Sequence, residues 1–364
     1  MQTAIAQDQP PLAKLAVSFS DSRPDSSQNK LFESTDGWIG GDGFQSLQLD
    51  ADRILWLFSD TWIGRVENQR RVDATIVNNT LAIQSGLGPS AMCQFIVRRG
   101  LDGQATAFVK PDDGIGWFWM QSGIRIQDKL YWFLTQVDRT EETGVFAFKI
   151  IGQSLGIVSG VDGDPMQWKI SQNKIPSSHF DSQSEVAWGS GLIEVGEFLY
   201  VYGSDEDVYP KYRDRHLVVA RVPKQHLADF GQWEFFTGDQ WQSDWQQCKR
   251  IVPKMASDCS VMFLPKYNCY LLTYTEGGLS SRIMARTARD PWGPWSEASV
   301  AFECPEMKLD KRVFCYNGKA QPLLSSDDEI VISYVANSFE LSQIAEDSGM
   351  YLPRFIRLKL SPVK

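Results

Sequence analysis

One pattern recurs five times along the chain and constrains its fold more than any other feature. It is a short apolar strand, a tight polar turn, and a stronger aromatic strand that ends in small or acidic residues. The second strands read ILWLFSD (54–60), LYWFLTQ (130–136), FLYVYGSD (198–205), YLLTYTE (270–276) and IVISYVAN (330–337). With Phe58, Leu134, Tyr202, Tyr274 and Tyr334 as equivalent points, the intervals are 76, 68, 72 and 60 residues. Each interval has room for a four-stranded sheet with loops, and further strands are expected at 144–152, 216–223 and 282–288. Five degenerate units, little helical periodicity and no linker predict an all-β, five-bladed β-propeller. A β-sandwich or jelly roll is the alternative fold, but it leaves the spacing unexplained. Neither a GH…WD signature nor a kelch Gly-Gly motif recurs. Residues 1–30 read as a tail or lead-in segment outside the repeat, and 31–364 as a single domain. One short helical turn is expected near Gln225–Phe230.

Charge and composition then exclude several functions. The net charge is −9, from 36 Lys and Arg against 45 Asp and Glu, and no Lys/Arg run exceeds two residues. That is a poor surface for nucleic acid. No apolar stretch approaches the ~20 residues of a membrane span. The three histidines, His179, His216 and His226, lack metal-ligand spacing, which argues against a His-rich zinc site. Six cysteines form no CxxC pair; Cys304 and Cys315 could form a disulfide, and six buried thiols are the other reading. Ala4-Ile5-Ala6-Gln7 has the form of a signal-peptidase site, so export is expected, with a cytoplasmic location as the alternative.

The segment GGDGFQSLQLDADRILWLFSDTWIG (40–64) carries the chemistry. Alternation in SLQL, turn residues at 50–52 and the run ILWLF read as a β-hairpin. Counting outward from its turn puts Asp42 opposite Asp60. Cross-strand Cβ atoms lie ~5 Å apart, and carboxylates that close push one pKa upward. Such a pair suits acid/base catalysis or a cation. The structural alternative is that both are turn or cap residues. The third repeat is similar, and there Glu185 is expected to approach Asp205. Glu185 and Asp258 would then join Asp42 and Asp60 at one mouth of the propeller channel. Acids around an open channel suit glycosidic bond cleavage, in which one carboxylic acid protonates the leaving oxygen and a carboxylate activates water or attacks the anomeric carbon. Trp38, Trp62, Trp117 and Trp188 are candidates for stacking on sugar rings, although most of the 13 Trp must pack between blades. No G-x-S-x-G, GxGxxG or P-loop string is present, nor the sialidase repeat S-x-D-x-G-x-x-W. No cofactor is required. Clustered acids could hold a structural calcium ion, but no dedicated loop motif for one is found.

At W-x-G-G-D-G…S-L-x-L…R-x-L-W-L-F-S-D-T-W-x-G (38–64), followed by Val77-Asn78-Asn79-Thr80, the chain resembles the DUF4185/DUF5005-like five-bladed propellers. AWGSGL…YVYGSD…LVVARVP (187–223), DPWGPWSE (290–297) and FCYNGKAQP (314–322) continue the resemblance in order. It implies a glycoside hydrolase of a group that includes endo-D-arabinanases, with a carbohydrate site at the channel mouth. The Asp of GDG (Asp42) and the Asp of SDT (Asp60) carry over directly. Asn78 and Asn79 match the family's NNT and are candidates for bonding substrate hydroxyls, with a buried structural role as the alternative. Glu185 is placed with the catalytic acids by analogy, and Trp188, Asp258, Lys319 and Gln321 are candidate substrate-binding residues. Relatives often carry His where Gln321 stands, so altered specificity or lost turnover is the competing reading: a carbohydrate-binding propeller. A protein-binding scaffold is a third.

Overall fold

The computed structural model describes residues 14–208 and 214–363. Each repeated aromatic strand is the second strand of an antiparallel sheet. Sheet I runs Gln45–Gln48, Arg53–Phe58, Thr80–Ser85 and Met92–Ile96. Sheet II runs Trp117–Ile126, Lys129–Arg139, Phe148–Ser159 and Lys169–Lys174. Sheet III is the largest: counted from its first long strand it runs Ser184–Val195, Phe198–Asp207, Asp214–Pro223, Glu234–Phe236 and Trp241–Gln242, with the two-residue His179–Phe180 pairing outside Ser184–Val195 and Val252–Pro253 pairing with Asp214–Pro223. Sheet IV runs Ser260–Leu264, Cys269–Thr275, Arg282–Ala288 and Ser299–Glu303. Sheet V runs Val313–Ala320, Glu329–Ser338, Arg354–Pro362 and finally Val17–Pro24.

Burial explains why these runs are strands. The second strands are apolar on both faces, so both faces can be covered: in Arg53–Phe58 every residue after Arg53 is buried, and in Cys269–Thr275 every residue is. Such unbroken runs of about six residues suit strands packed on two sides. The outer strands lose this character, and Lys169–Lys174 has no buried residue. Five apolar clusters fill the spaces between sheets. One joins I to II through Leu55, Leu81, Met120 and Trp132. Another joins II to III through Phe133, Leu155, Trp188 and Val201. The next joins III to IV through Tyr202, Val219, Leu272 and Tyr274, and the fourth joins IV to V through Leu271, Ile283, Ile330 and Ile332. The last returns from V to I through Val331, Phe355, Trp56 and Phe58. The first strands of consecutive sheets also touch one another from I to V. Gly43 and Ser46, at the start of sheet I, bond to Asn317 and Gln321 of sheet V.

Two expectations are corrected. The expected lead-in segment contributes Val17–Pro24 as the outer strand of sheet V, with Val17 opposite Pro362 and Phe19 opposite Leu360. It therefore lies inside the repeat; its sequence looked like a tail because the paired side chains after Val17 are largely exposed. Residues 1–13, with Ala4-Ile5-Ala6, lie outside the described residues. The helical turn near Gln225–Phe230 forms as two 3-10 turns, Lys224–His226 and Phe230–Gln232. Short α-helices at Ser26–Lys30, Glu306–Leu309 and Leu341–Glu346 were not expected, since pieces of one turn carry no periodicity to read. All six cysteines are free thiols, Cys304 and Cys315 included. No helix among the described residues is long and apolar enough to cross a membrane.

A three-stranded sheet, Asp36–Gly41, Thr61–Glu67 and Arg70–Val77, is inserted around sheet I. It prolongs the hairpin past Phe58 and carries the residues on either side of Asp42 and Asp60.

Candidate active site

The Gly-Gly-Asp-Gly string is dictated by crowding. Gly40 has φ +147°, and a Cβ there would lie 2.8 Å from the Tyr351 carbonyl oxygen. Gly43 has φ +78°, and a Cβ there would lie 2.8 Å from Ser59 Oγ. Only glycine accepts both the backbone angle and the contact. Asp42 is thereby pressed against the opposite strand: its N–H donates to the Asp60 carbonyl at 3.1 Å, and its carbonyl accepts from Ser59 N–H at 2.9 Å. Two residues facing one is the geometry of a bulge, which re-aims side chains at the end of a ladder. The Ser-Asp-Thr string is fixed as tightly. Ser59 Oγ accepts from Met120 N–H of sheet II at 3.1 Å, and Thr61 Oγ1 lies 3.0 Å from Thr80 Oγ1.

Both carboxyls are half-buried and have dedicated donors. Asp42 Oδ2 accepts from Tyr316 OH at 2.6 Å and Tyr351 OH at 2.8 Å. Its Oδ1 is buried with no hydrogen-bond partner among the described residues. Asp60 Oδ1 accepts from Trp119 Nε1 at 3.0 Å and Asn78 Nδ2 at 3.1 Å. Burial pushes Asp42 up to about 6, with the Asp258 charge adding to the rise and the two phenols opposing it. Burial, and then the Asp42 charge, push Asp60 up to about 7. Each charge bears on the other, so the two protons leave in steps that belong to the pair.

This has a measurable consequence for stability. Both carboxyls ionise more readily in the unfolded chain, so the native state holds more protons from about pH 4 up to about 7. The stabilising contribution is complete below about pH 4 and is lost as the pH rises through 6 and 7. Between pH 5 and pH 8 the unfolding free energy from denaturant titration should therefore fall less for Asp42→Asn/Asp60→Asn than for wild type, by on the order of 3 kcal/mol. Parallel losses would mean that the pair does not titrate in this window.

Behind Asp42 lies a buried ion pair. Lys319 Nζ, 1% exposed, donates to Asp258 Oδ2 at 2.6 Å and to the Gly43 carbonyl at 3.2 Å. Asn317 Nδ2 donates to the same Asp258 oxygen at 3.1 Å, while its Oδ1 accepts from Gly43 N–H. Asp258 and Lys319, expected to touch substrate, instead brace the loop that carries Asp42.

An aromatic arch connects the two carboxyls on the outside. From Asp60 it passes through Trp119 to Phe148 (centroids 4.6 Å apart) and on to Phe146 (6.3 Å). Phe146 meets Phe314 (5.8 Å) and Phe339 (6.0 Å) of the sheet V end, and Phe314 leads to Tyr316 (5.5 Å) and so to Asp42. Phe146 stands on a turn closed by Ala147 N–H to the Gly144 carbonyl, and is 45% exposed. It reaches from sheet II to the end of sheet V.

The other expected residues lie elsewhere. Asn79 is fully buried and binds the carbonyls of Val109 and Phe118 and the N–H of Val109. Gln321, 2% exposed, bonds Ser46 and Ser333. Trp188, 1% exposed, donates to the Ser177 carbonyl in the II–III core. Trp38 is stacked on Phe95 in the core, while Trp62 and Trp117 are half-buried. Glu185 is half-buried and faces Glu206, not Asp205. Asp205 faces Val186 and, with Asp207, binds Arg250. The turn lies at Gly196-Glu197, further along than expected, and the register shift between Trp188 and Gly191 offsets this only in part; a remaining one-residue slip moves side chains to the opposite face. Among the described residues, no group of three or more His, Cys, Asp or Glu is arranged to hold a metal ion.

Tyr316, Tyr351, Trp119 and Arg71 were not found from sequence. Arg71 is buried and, among the described residues, donates only to carbonyls, those of Ile39, Ile344, Asp347, Ser348 and Met350. It ties the inserted sheet to the segment that presents Tyr351. Tyr316 and Trp119 stand in strings that could have been noticed, FCYNG and WFWM; Tyr351 has no local signal.

The model of a family described as a domain of unknown function (DUF5005) matches residues 25–360. No curated protein matches the sequence. Among solved structures, a Bacteroides ovatus protein provisionally termed a hydrolase has TM-score 0.73 at 19% identity, covering 93% of this chain and 90% of its own; the likeness is one of fold. A family 117 glycoside hydrolase from Zobellia galactanivorans has TM-score 0.48 at 10% identity, covering 96% and 91%. A GH43_1 enzyme from Xanthomonas citri has TM-score 0.45 at 11% identity, covering 94% and 91%.

Proposed function

We propose that this chain, which belongs to the DUF5005 family, is a glycoside hydrolase built as one five-bladed β-propeller, sheets I to V being the blades. The closed succession of five inter-sheet clusters supports the architecture. The observation that carries the activity is the Asp42–Asp60 pair, two adjacent carboxyls raised to about 6 and about 7. Structural carboxylates are usually stabilised as charges; a pair held near neutrality is suited to proton transfer.

The roles follow from the donors. Asp60 has the higher pKa and is the general acid, delivering its proton to the glycosidic oxygen. Asp42 receives two phenolic O–H bonds, which favour its charged form. Tyr316 and Tyr351 are themselves raised well above the ordinary tyrosine range by burial and the Asp42 charge, so they remain donors. Asp42 is then the carboxylate that activates water or attacks the anomeric carbon. Asn78 holds Asp60, and Phe146 with its neighbours offers aromatic faces to a sugar. Export fits a polysaccharide substrate and is proposed with it.

Gln321 was the sequence hint for a non-catalytic binding protein. Its burial and its two serine partners are those of a packing residue, so it lends that reading little weight. The test is product release from a polysaccharide panel, arabinans and xylans included, by wild type and Asp42→Asn. Release by wild type alone is expected. Equal release by the variant would remove Asp42 from the mechanism, and release by neither with retained binding would favour the binding protein.

A further inference from the structure

We infer that a cleft between the outer edges of sheets I and II binds an oxyanion, the carboxylate or sulfate group of an acidic ligand, through Arg98 and Lys110. The cleft is about 330 Å³ and lies apart from Asp42 and Asp60. Arg98 follows the outer strand of sheet I, and Trp168 and Gln172 come from the outer edge of sheet II.

Arg98 is held but not neutralised. Its guanidinium carbon lies 4.2 Å from the centroid of Phe108, so one face is covered by the ring. Phe108 is 1% exposed and is anchored through its N–H to the Asn79 carbonyl at 3.0 Å. Arg98 Nε is buried without a hydrogen-bond partner, and among the described residues the guanidinium makes no ion pair. Burial alone lowers its pKa from the ordinary arginine value. Lys110, exposed on the same cleft, likewise has no acidic partner among the described residues. Asp112 shares the lining but pairs with neither cation; its N–H donates to Gln172 Oε1.

A partly desolvated guanidinium is costly unless an anion meets it. Here stacking fixes the plane and leaves the edge for two parallel N–H···O bonds, the arrangement that carboxylate and sulfate accept. The chain as a whole carries −9, so long-range attraction opposes anions and binding must come from the local geometry. This assignment does not depend on the hydrolase reading.

The experiment is calorimetric titration of the full chain with digalacturonate, neutral galactobiose and sodium sulfate, at low and high ionic strength. Saturable binding of digalacturonate is expected, weakened about 10-fold or more by Arg98→Gln and by the exposed substitution Lys110→Gln, and unaffected by Asp42→Asn. Arg98→Lys should retain part of the affinity. Galactobiose should not bind in competition with digalacturonate. Displacement of digalacturonate by sulfate would assign the site to the oxyanion alone, whereas failure of sulfate to displace it would assign a sugar acid. No saturable binding of either anion, or unchanged affinity in Arg98→Gln, would overturn the inference.

Discussion

Asp60→Asn is expected to lower hydrolysis of a polysaccharide by about 10²–10⁴-fold at pH 6, the range typical of losing a general acid. The loss should shrink as the pH rises past 7, because wild-type Asp60 there gives up the proton it would donate. Wild type should show a bell-shaped profile with limbs near 6 and 7, and the variant should lose the basic limb. Leaving-group chemistry separates this role from simple misfolding. An aryl glycoside whose phenolate departs without protonation should be cleaved by the variant with a much smaller deficit. If both substrates lose rate equally, Asp60 does not act as the acid, and its bonds to Asn78 and Trp119 are structural.

The second large effect concerns the support of the site. Lys319→Met removes the cation from a pair in which both members are almost fully buried. An uncompensated Asp258 should cost about 3–5 kcal/mol of stability. Asp258→Asn/Lys319→Met, which removes both charges, should recover much of that in denaturant unfolding. The recovered protein should still show an altered pH profile, because Asp42 has lost both the nearby Asp258 charge and the lysine that grips the Gly43 carbonyl. Full recovery of stability together with an unchanged profile would reduce the pair to packing.

What could be read from the sequence was what is local. Apolar runs buried on both faces mark Phe58, Leu134, Tyr202, Tyr274 and Tyr334, and all five fall on second strands. Asp42 could be set against Asp60 because a two-stranded hairpin has one register and its turn residues are plain. The same counting failed in sheet III, where the turn falls at Gly196-Glu197 and Gly189, at φ +84°, marks an irregularity that counting cannot foresee. Long-range partners were invisible for a different reason. Tyr351 stands 309 positions from Asp42, and Arg71 reaches carbonyls 273 to 279 positions away. Nothing in either neighbourhood announces the other. Buried polar residues could not be sorted by sequence alone: Asn79, Lys319 and Gln321 lie in distinctive strings, and they bond, respectively, to backbone carbonyls, to the Asp258 carboxylate and to serine hydroxyls within the protein.

The strand Val17–Pro24 sets a condition on how the protein can be made. Its partner, Arg354–Pro362, is synthesised long after it: the paired Ser18 and Ser361 are 343 positions apart. Four sheets can pair from neighbouring segments as they emerge, but in the fifth Val17–Pro24 must wait for Arg354–Pro362, and its apolar Val17 and half-buried Phe19 stay without their partners until then. Closing so long a loop is slow relative to pairing adjacent strands. Until it closes, Arg354–Pro362 has a free edge able to recruit the same strand from another copy. Nascent chains crowded on one message therefore face a choice between self-closure and exchange, and the outcome depends on their local concentration.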